Sequence, residues 1–169
     1  DNEAAARSVH WGATSQDVID TGLVLQLRQA LDFFDAELAG LSNICADHAD
    51  RHRHSVMAGR TWLQHATPIT FGLKAANWLS AIERHRTRLA QCRERVLAIQ
   101  FGGAAGTLAS LGDRGLDVAK ELAKQLRLAL PDTPWHSQRD NLVEAASLLG
   151  MLTGTLGKIA TDISLMMQT

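Results

Sequence analysis

The chain has 169 residues, 46 % of them apolar, which is enough for a buried core and too apolar for a disordered chain. Its 17 basic and 18 acidic side chains leave a formal charge of −1, a balance that gives neither nucleic acid nor an anionic membrane a reason to bind. Cys45 and Cys92 stand alone with no CxxC spacing or disulfide framework, so a reducing cytoplasm is expected, and there is neither a secretory signal nor an apolar run long enough to span a bilayer.

Asp1–Ala13 is short, polar and contains Gly12, and reads as a helix end followed by a loop. Thr14 or Ser15 can then cap a helix, with the Asp17 carboxylate favouring its first turn. Apolar residues recur at Val18, Leu23, Leu27, Leu31, Phe34, Leu38, Leu41 and Cys45, a helical spacing that runs without proline to His52. His54–Thr67 breaks the pattern. A second long helix is expected from Pro68, which suits a first helical turn, to about Gln100, with Phe71, Ala75, Trp78, Ile82, Leu89 and Val96 on one stripe. Gly102–Thr107 is a loop of small residues. A shorter helix from about Asp113 to Leu128, a turn at Pro131–Pro134 and a third long helix from about Arg139 complete the chain.

The last helix is apolar on more than one face, which predicts burial against other subunits. No sheet signal, repeat or low-complexity tract is evident. The expected fold is therefore all-α, a bundle of long helices forming one domain over residues 1–169. The chain starts abruptly at Asp1 and stops within an apolar helix pattern, so it is expected to be a piece of a longer protein.

Polar residues collect at four junctions: His10–Asp17, Gly59–His65, Gly102–Thr107 and Trp135–Arg139. Hydroxyls and backbone N–H groups at helix starts suit anions, and Thr14, Ser15, Thr61, Thr107, Gln138 and Arg139 suit carboxylate recognition. At any single junction, ordinary capping explains the residues better. His48 and His52 lie one turn apart but lack further ligands, so a solvated helix end is expected and no metal. His85 lies among Arg84, Arg86 and Arg88 and reads as part of an exposed face. His10, His65 and His136 sit in junctions and are the better candidates. The glycines of 102–106 lack a following Lys-Ser/Thr and read as sites of close backbone approach, not a phosphate loop. Met151, Met166 and Met167 read as core filling. Lys74 and Lys158 read as surface residues, Lys74 alone drawing any suspicion of a role.

The string His10-Trp11-Gly12-Ala13-Thr14-Ser15-Gln16-Asp17, continued by Asp20-Thr21, resembles the first signature of the fumarase/aspartase superfamily. Gly59-Arg60-Thr61-Trp62-Leu63-Gln64-His65-Ala66-Thr67-Pro68, continued by Phe71-Gly72-Leu73-Lys74, resembles its second. Gly102–Thr107 and Gln138-Arg139-Asp140 fall where that superfamily has corresponding segments. The phrases HWGATSQDVIDTGL, GRTWLQHA, QFGGAAGTLASLGDRG and GTLGKIATDISLMMQT are most similar to its branch of bacterial cycloisomerases that lactonize 3-carboxy-cis,cis-muconate in protocatechuate breakdown. Adenylosuccinate lyase, a C–N lyase releasing fumarate, is the nearest rival, and a sulfomuconate cycloisomerase is a further alternative. A non-catalytic helical scaffold ranks last.

The resemblance implies a small polycarboxylate substrate, no cofactor, and a homotetramer whose active sites are shared between subunits at the ends of a helix bundle. It implies catalytic roles for Ser15 and His65, the latter acting in proton transfer or orientation. It implies substrate binding by His10, Thr14, Ser15, Arg60, Thr61, Trp62, Gln64, Gln138 and Arg139. Lyases of this group carry His where this chain has Trp62. An amine leaving group needs a proton before it departs, whereas a carboxylate, with a pKa of about 4, does not. Trp62 therefore fits lactone chemistry better than amine release. The superfamily's third signature, a mobile Ser-containing loop, is not among these residues, and neither is its N-terminal domain, so the chain alone is expected to be inactive.

Overall fold

The structure, a computed structural model, describes residues 2–168. It is all-α as expected, with one addition. The elements are α1 (Glu3–Ala6), α2 (Ser15–Arg51), β1 (Val56–Thr61), β2 (Gln64–Thr70), α3 (Phe71–Val96), a 3-10 segment (Ala109–Arg114), α4 (Gly115–Leu126) and α5 (Asp140–Met166). Three helices carry the architecture. The 37 residues of α2 span about 55 Å at 1.5 Å per residue. Its buried positions include Asp17, Val24, Leu31, Leu38 and Cys45, a seven-residue recurrence that keeps one face inward over two-turn steps.

Two compact units share these helices. The first comprises the segment up to Leu31 and Cys92–Ala145. Its core is Val24, Ile99, Leu108, Ala119, Ala123, Leu128 and Trp135, with α4 contributing the two alanines. Arg127, in the left-handed region at φ 54°, ends α4 by returning its N–H to the Ala123 carbonyl. A parallel bridge at Ala98 and Ala129 then ties the chain leaving α3 to the chain leaving α4. The second unit comprises Asp32–Gln91 and the chain from Ala146 onward. Leu38, Cys45, Ala75, Trp78, Ile82, Leu89, Leu148 and Leu152 are buried there.

The sequence reading found no strands, and here the structure corrects it. Val56–Thr61 and Gln64–Thr70 form an antiparallel hairpin closed by Trp62 and Leu63, both at positive φ (53° and 60°). That is the geometry of a two-residue hairpin turn, which usually announces itself through Asn-Gly or Asp-Gly. With Trp-Leu in those places the signal was hidden. Pro68 does not open a helix. It pairs with Ala58 in β2, and α3 begins at Phe71. In a two-stranded sheet each strand has a free edge, which tolerates a residue without an N–H. Gly59 sits at the irregularity between Ala58 and Arg60, where a Cβ would meet the Thr67 carbonyl oxygen at 2.3 Å.

His85 is also corrected. It is 5 % exposed, and its Nε2 lies 2.7 Å from Thr155 Oγ1. Its helical neighbours are the buried Ile82 and Leu89, not the adjacent arginines. The Met side chains are not all core filling, since Met151 and Met167 are 48 % and 78 % exposed. The expectation that no apolar run is long enough to span a bilayer is corrected as well: by length and composition alone, α5 is long and apolar enough to do so.

Candidate active site

The residues singled out in the sequence divide between the units. His10, Thr14, Ser15, Gln138 and Arg139 belong to the first; Arg60, Thr61, Trp62, Gln64 and His65 belong to the second.

In the first unit the site is built around Asp17. Thr14 precedes the first helical residue, Ser15, and its N–H donates to Asp17 Oδ2 at 2.9 Å, half of a capping box. The same carboxylate, 3 % exposed, accepts from Gln100 Nε2 (2.9 Å), Gly102 N (3.1 Å) and Gly103 N (2.9 Å). One side chain thus fastens the start of α2 to the small-residue loop. Gly103 carries φ 70°, and a Cβ there would meet the Gly12 carbonyl oxygen at 2.9 Å. The glycines therefore let the His10–Asp17 and Gly102–Thr107 junctions touch, as their composition suggested.

Gln100, 1 % exposed, extends the network. Its Oε1 accepts from Trp135 N at 2.6 Å, and its backbone N–H and C=O exchange hydrogen bonds with the Thr21 hydroxyl at 2.9 and 2.8 Å. Trp135 Nε1 donates to the Ile99 carbonyl at 2.9 Å. His136 Nδ1 lies 3.4 Å from Gln100 Nε2. Three junctions of the sequence meet in this one buried network.

Arg139 does not offer a free charge. Its guanidinium holds Asp20, 0 % exposed, through two bonds of 2.6 and 2.9 Å, and lies over the Trp135 ring at 5.5 Å. Burial pushes the Asp20 carboxyl up, but hydrogen bonds from Arg139 and Gln16 and the charges of Arg139 and His136 outweigh it and hold it below the ordinary range. Asp17 and Asp20 are thus consumed internally, as anchors. What remains open toward a ligand is the exposed Ser15 and Gln138, the half-exposed Thr14 and the exposed His10 at φ 66°. Hydroxyls at the start of a long helix, where the dipole is positive, favour a carboxylate. A cavity of about 620 Å³ lined by His10, Trp11, Val18, Phe101, Val118 and Leu122 lies in the same unit; its largely apolar walls make it a packing surface more than an anion site.

In the second unit the hairpin presents the remaining residues. Its register pairs Arg60 with His65 and Thr61 with Gln64, so the first two share one face and the second two the other. Trp62 at the tip is 96 % exposed. His65 is exposed, and its side chain makes no hydrogen bond among the described residues. Arg60 is half-buried, with Nη2 3.3 Å from the Gln168 carbonyl. A cavity of about 220 Å³ is lined by Arg60, Trp62, Lys74, Asp162, Leu165 and Met166. Asp162 accepts from Trp78 Nε1 at 2.7 Å, forms a close ion pair with Lys158, and lies 3.5 Å from Lys74. Burial raises the Asp162 carboxyl, yet the hydrogen bonds of Lys158 and Trp78 and the two lysine charges bring it below its ordinary value. His48 and His52 stack at 5.7 Å beside Phe71, and no group of three or more metal-ligating side chains exists among the described residues.

Sequence reading missed Asp20, Gln100, Trp78 and Asp162. A signal existed for Asp20, which shares a helix face with Asp17, Thr21 and Val24; polar residues on a buried stripe mark an internal network. Gln100 follows the end of α3 and had no such pattern.

Residues 2–169 match the profile of a lyase family. A 3-carboxy-cis,cis-muconate cycloisomerase from Pseudomonas aeruginosa is 58 % identical over 165 residues, covering 98 % of this chain and 36 % of that protein. The crystal structure of 3-carboxy-cis,cis-muconate lactonizing enzyme from Pseudomonas putida superposes with a TM-score of 0.93 at 57 % identity, covering 95 % of this chain and 36 % of that one. Trans-aconitate decarboxylase 1 from Mycosarcoma maydis is 47 % identical over 160 residues, covering 95 % of this chain and 32 % of that protein. The chain thus spans about a third of the length of the curated relatives it matches. Together with the two signatures now placed at the start of α2 and on the hairpin, these matches show that the chain belongs to the lyase family of the fumarase/aspartase superfamily.

Proposed function

We propose that the protein is a cycloisomerase that closes 3-carboxy-cis,cis-muconate to a carboxymuconolactone. The 58 % identity to a cycloisomerase along nearly the whole chain carries the reading. In the reaction a carboxylate oxygen of the diene adds to a conjugated double bond. The electron pair moves onto the acceptor carboxylate, and an acid then protonates the carbon beside it. Donors aimed at that carboxylate stabilise the intermediate.

Thr14, Ser15, Thr61 and Gln138 bind carboxylates, His10 and Gln64 line the substrate, and Arg60 supplies positive charge. Ser15 and His65 act at the reacting end, His65 in proton transfer or orientation. Arg139 acts through Asp20, positioning the Trp135–Gln138 turn, because its charge is already paired. Trp62 takes the place of a proton donor that carboxylate chemistry does not need. The protein works as a homotetramer in the cytoplasm. Exposed Phe33, Ile44, Val143 and Ile163, each at least 49 % accessible, support such an assembly, and the two buried free thiols suit a reducing compartment.

The full-length protein is assayed with 3-carboxy-cis,cis-muconate and with adenylosuccinate. Loss of muconate ultraviolet absorbance without fumarate release is expected. Fumarate release with no muconate turnover would replace the reading with C–N lyase chemistry.

A further inference from the structure

Lys74 stands apart from the other basic residues of the second unit. Its side chain is only 21 % exposed, and its partner Asp162 is 15 % exposed. Asp162 already serves two other groups through Oδ2, the Trp78 N–H at 2.7 Å and the Lys158 ammonium. Lys74 meets only Oδ1, at 3.5 Å, and makes no hydrogen bond among the described residues. One carboxylate is thus shared by two lysines. An ammonium that shares its counter-charge with a second lysine keeps donors for another acidic group. The cavity it lines also holds Arg60, which has no carboxylate partner among the described residues, and the Trp62 ring. Three cations and one anion therefore meet at or beside a hollow of about 220 Å³.

We propose that Lys74 binds a carboxylate of the substrate in the cavity beneath the hairpin tip, with Asp162 and Trp78 as the residues that position it. The inference deepens the function proposed above and rests on it for the identity of the substrate. The chemistry of the site by itself calls for a small polycarboxylate. Asp162 lies beside the ammonium at the cavity wall, and Trp78 Nε1 and Lys158 fix Asp162 in turn.

The test uses the full-length protein with Lys74→Met, Lys74→Gln and Lys74→Arg, and tricarballylate as an unreactive tricarboxylate probe. Tricarballylate binding by calorimetry should weaken roughly 10- to 100-fold in Lys74→Met and Lys74→Gln, the loss of one charge-assisted hydrogen bond, and recover in part in Lys74→Arg. KM for the muconate should rise by a similar factor while kcat changes less. A merely structural lysine would lower the melting temperature and leave KM and tricarballylate affinity in place, which would overturn the inference. If the variants do not fold, a crystal structure of the unaltered protein with tricarballylate decides: a carboxylate oxygen in hydrogen-bond reach of Lys74 Nζ supports it, and a probe bound elsewhere overturns it. If tricarballylate binding depends on Lys74 while the muconate is not turned over, the reaction assignment fails and the inference stands.

Discussion

Replacing Asp17 by Asn changes one atom type and almost no volume, which makes it a clean probe of the network at the start of α2. Each carboxylate oxygen accepts from two donors: Gln100 Nε2 and Gly102 N at Oδ1, Thr14 N and Gly103 N at Oδ2. An Asn amide keeps one pair and turns an NH2 group toward the other. Two donors then lose their acceptor in a site that is 3 % exposed, and the surviving bonds lose their charge assistance. At about 1–3 kcal/mol per unsatisfied buried group, partly relieved by rearrangement, the cost is about 2–5 kcal/mol. With roughly 2–4 °C per kcal/mol for a domain of this size, the melting temperature should fall by about 5–15 °C. Thermal unfolding followed by circular dichroism measures it, with Asp47→Asn as control: Asp47 pairs with Arg51 on the surface, and its loss should cost well under about 1 kcal/mol. If Asp17→Asn melted within about 2 °C of the unaltered protein, as the control should, the anchoring role would be wrong.

Asp20→Asn should cost about 1–3 kcal/mol, held down because Arg139 is 41 % exposed and regains water. The lowered Asp20 carboxyl adds stability that is present above its unfolded value of 3.8 and lost as pH falls through the folded one, so the variant should show a flatter acid limb in urea titrations. His85 behaves differently. Burial, then the charges of Arg88 and Arg84, lowers its pKa, so the unfolded chain takes up the proton first and stability falls as pH drops below 6.5. His85→Gln should remove that slope, and an unchanged slope would place the titrating group elsewhere. Trp62→His should leave lactonization unchanged or reduced; a strong increase would refute the argument that carboxylate chemistry has no need of a proton donor there.

The helices were legible because their apolar spacing is a direct consequence of the 3.6-residue turn. Trp78, Ile82, Leu89 and Val96 lie on one stripe in the sequence and are buried in the structure. The same stripe passes through position 85, and following it would have placed His85 inside despite its arginine neighbours. The hairpin was not legible. Its second strand is largely exposed and its turn uses Trp62 and Leu63 in a conformation ordinarily announced by glycine or asparagine. The site was half legible. The junctions stood out as polar clusters, but burial divides them into exposed Ser15 and Gln138 and internal Asp17 and Asp20. A one-dimensional pattern cannot see that Gln100, some eighty residues away, supplies the matching amide.

The central claim is tested most directly by proton NMR of the full-length protein mixed with 3-carboxy-cis,cis-muconate in deuterated water. Replacement of the diene signals by those of a lactone carrying one deuteron on the carbon beside the acceptor carboxylate is expected. An unchanged diene, or loss of carbon dioxide in place of ring closure, would contradict it.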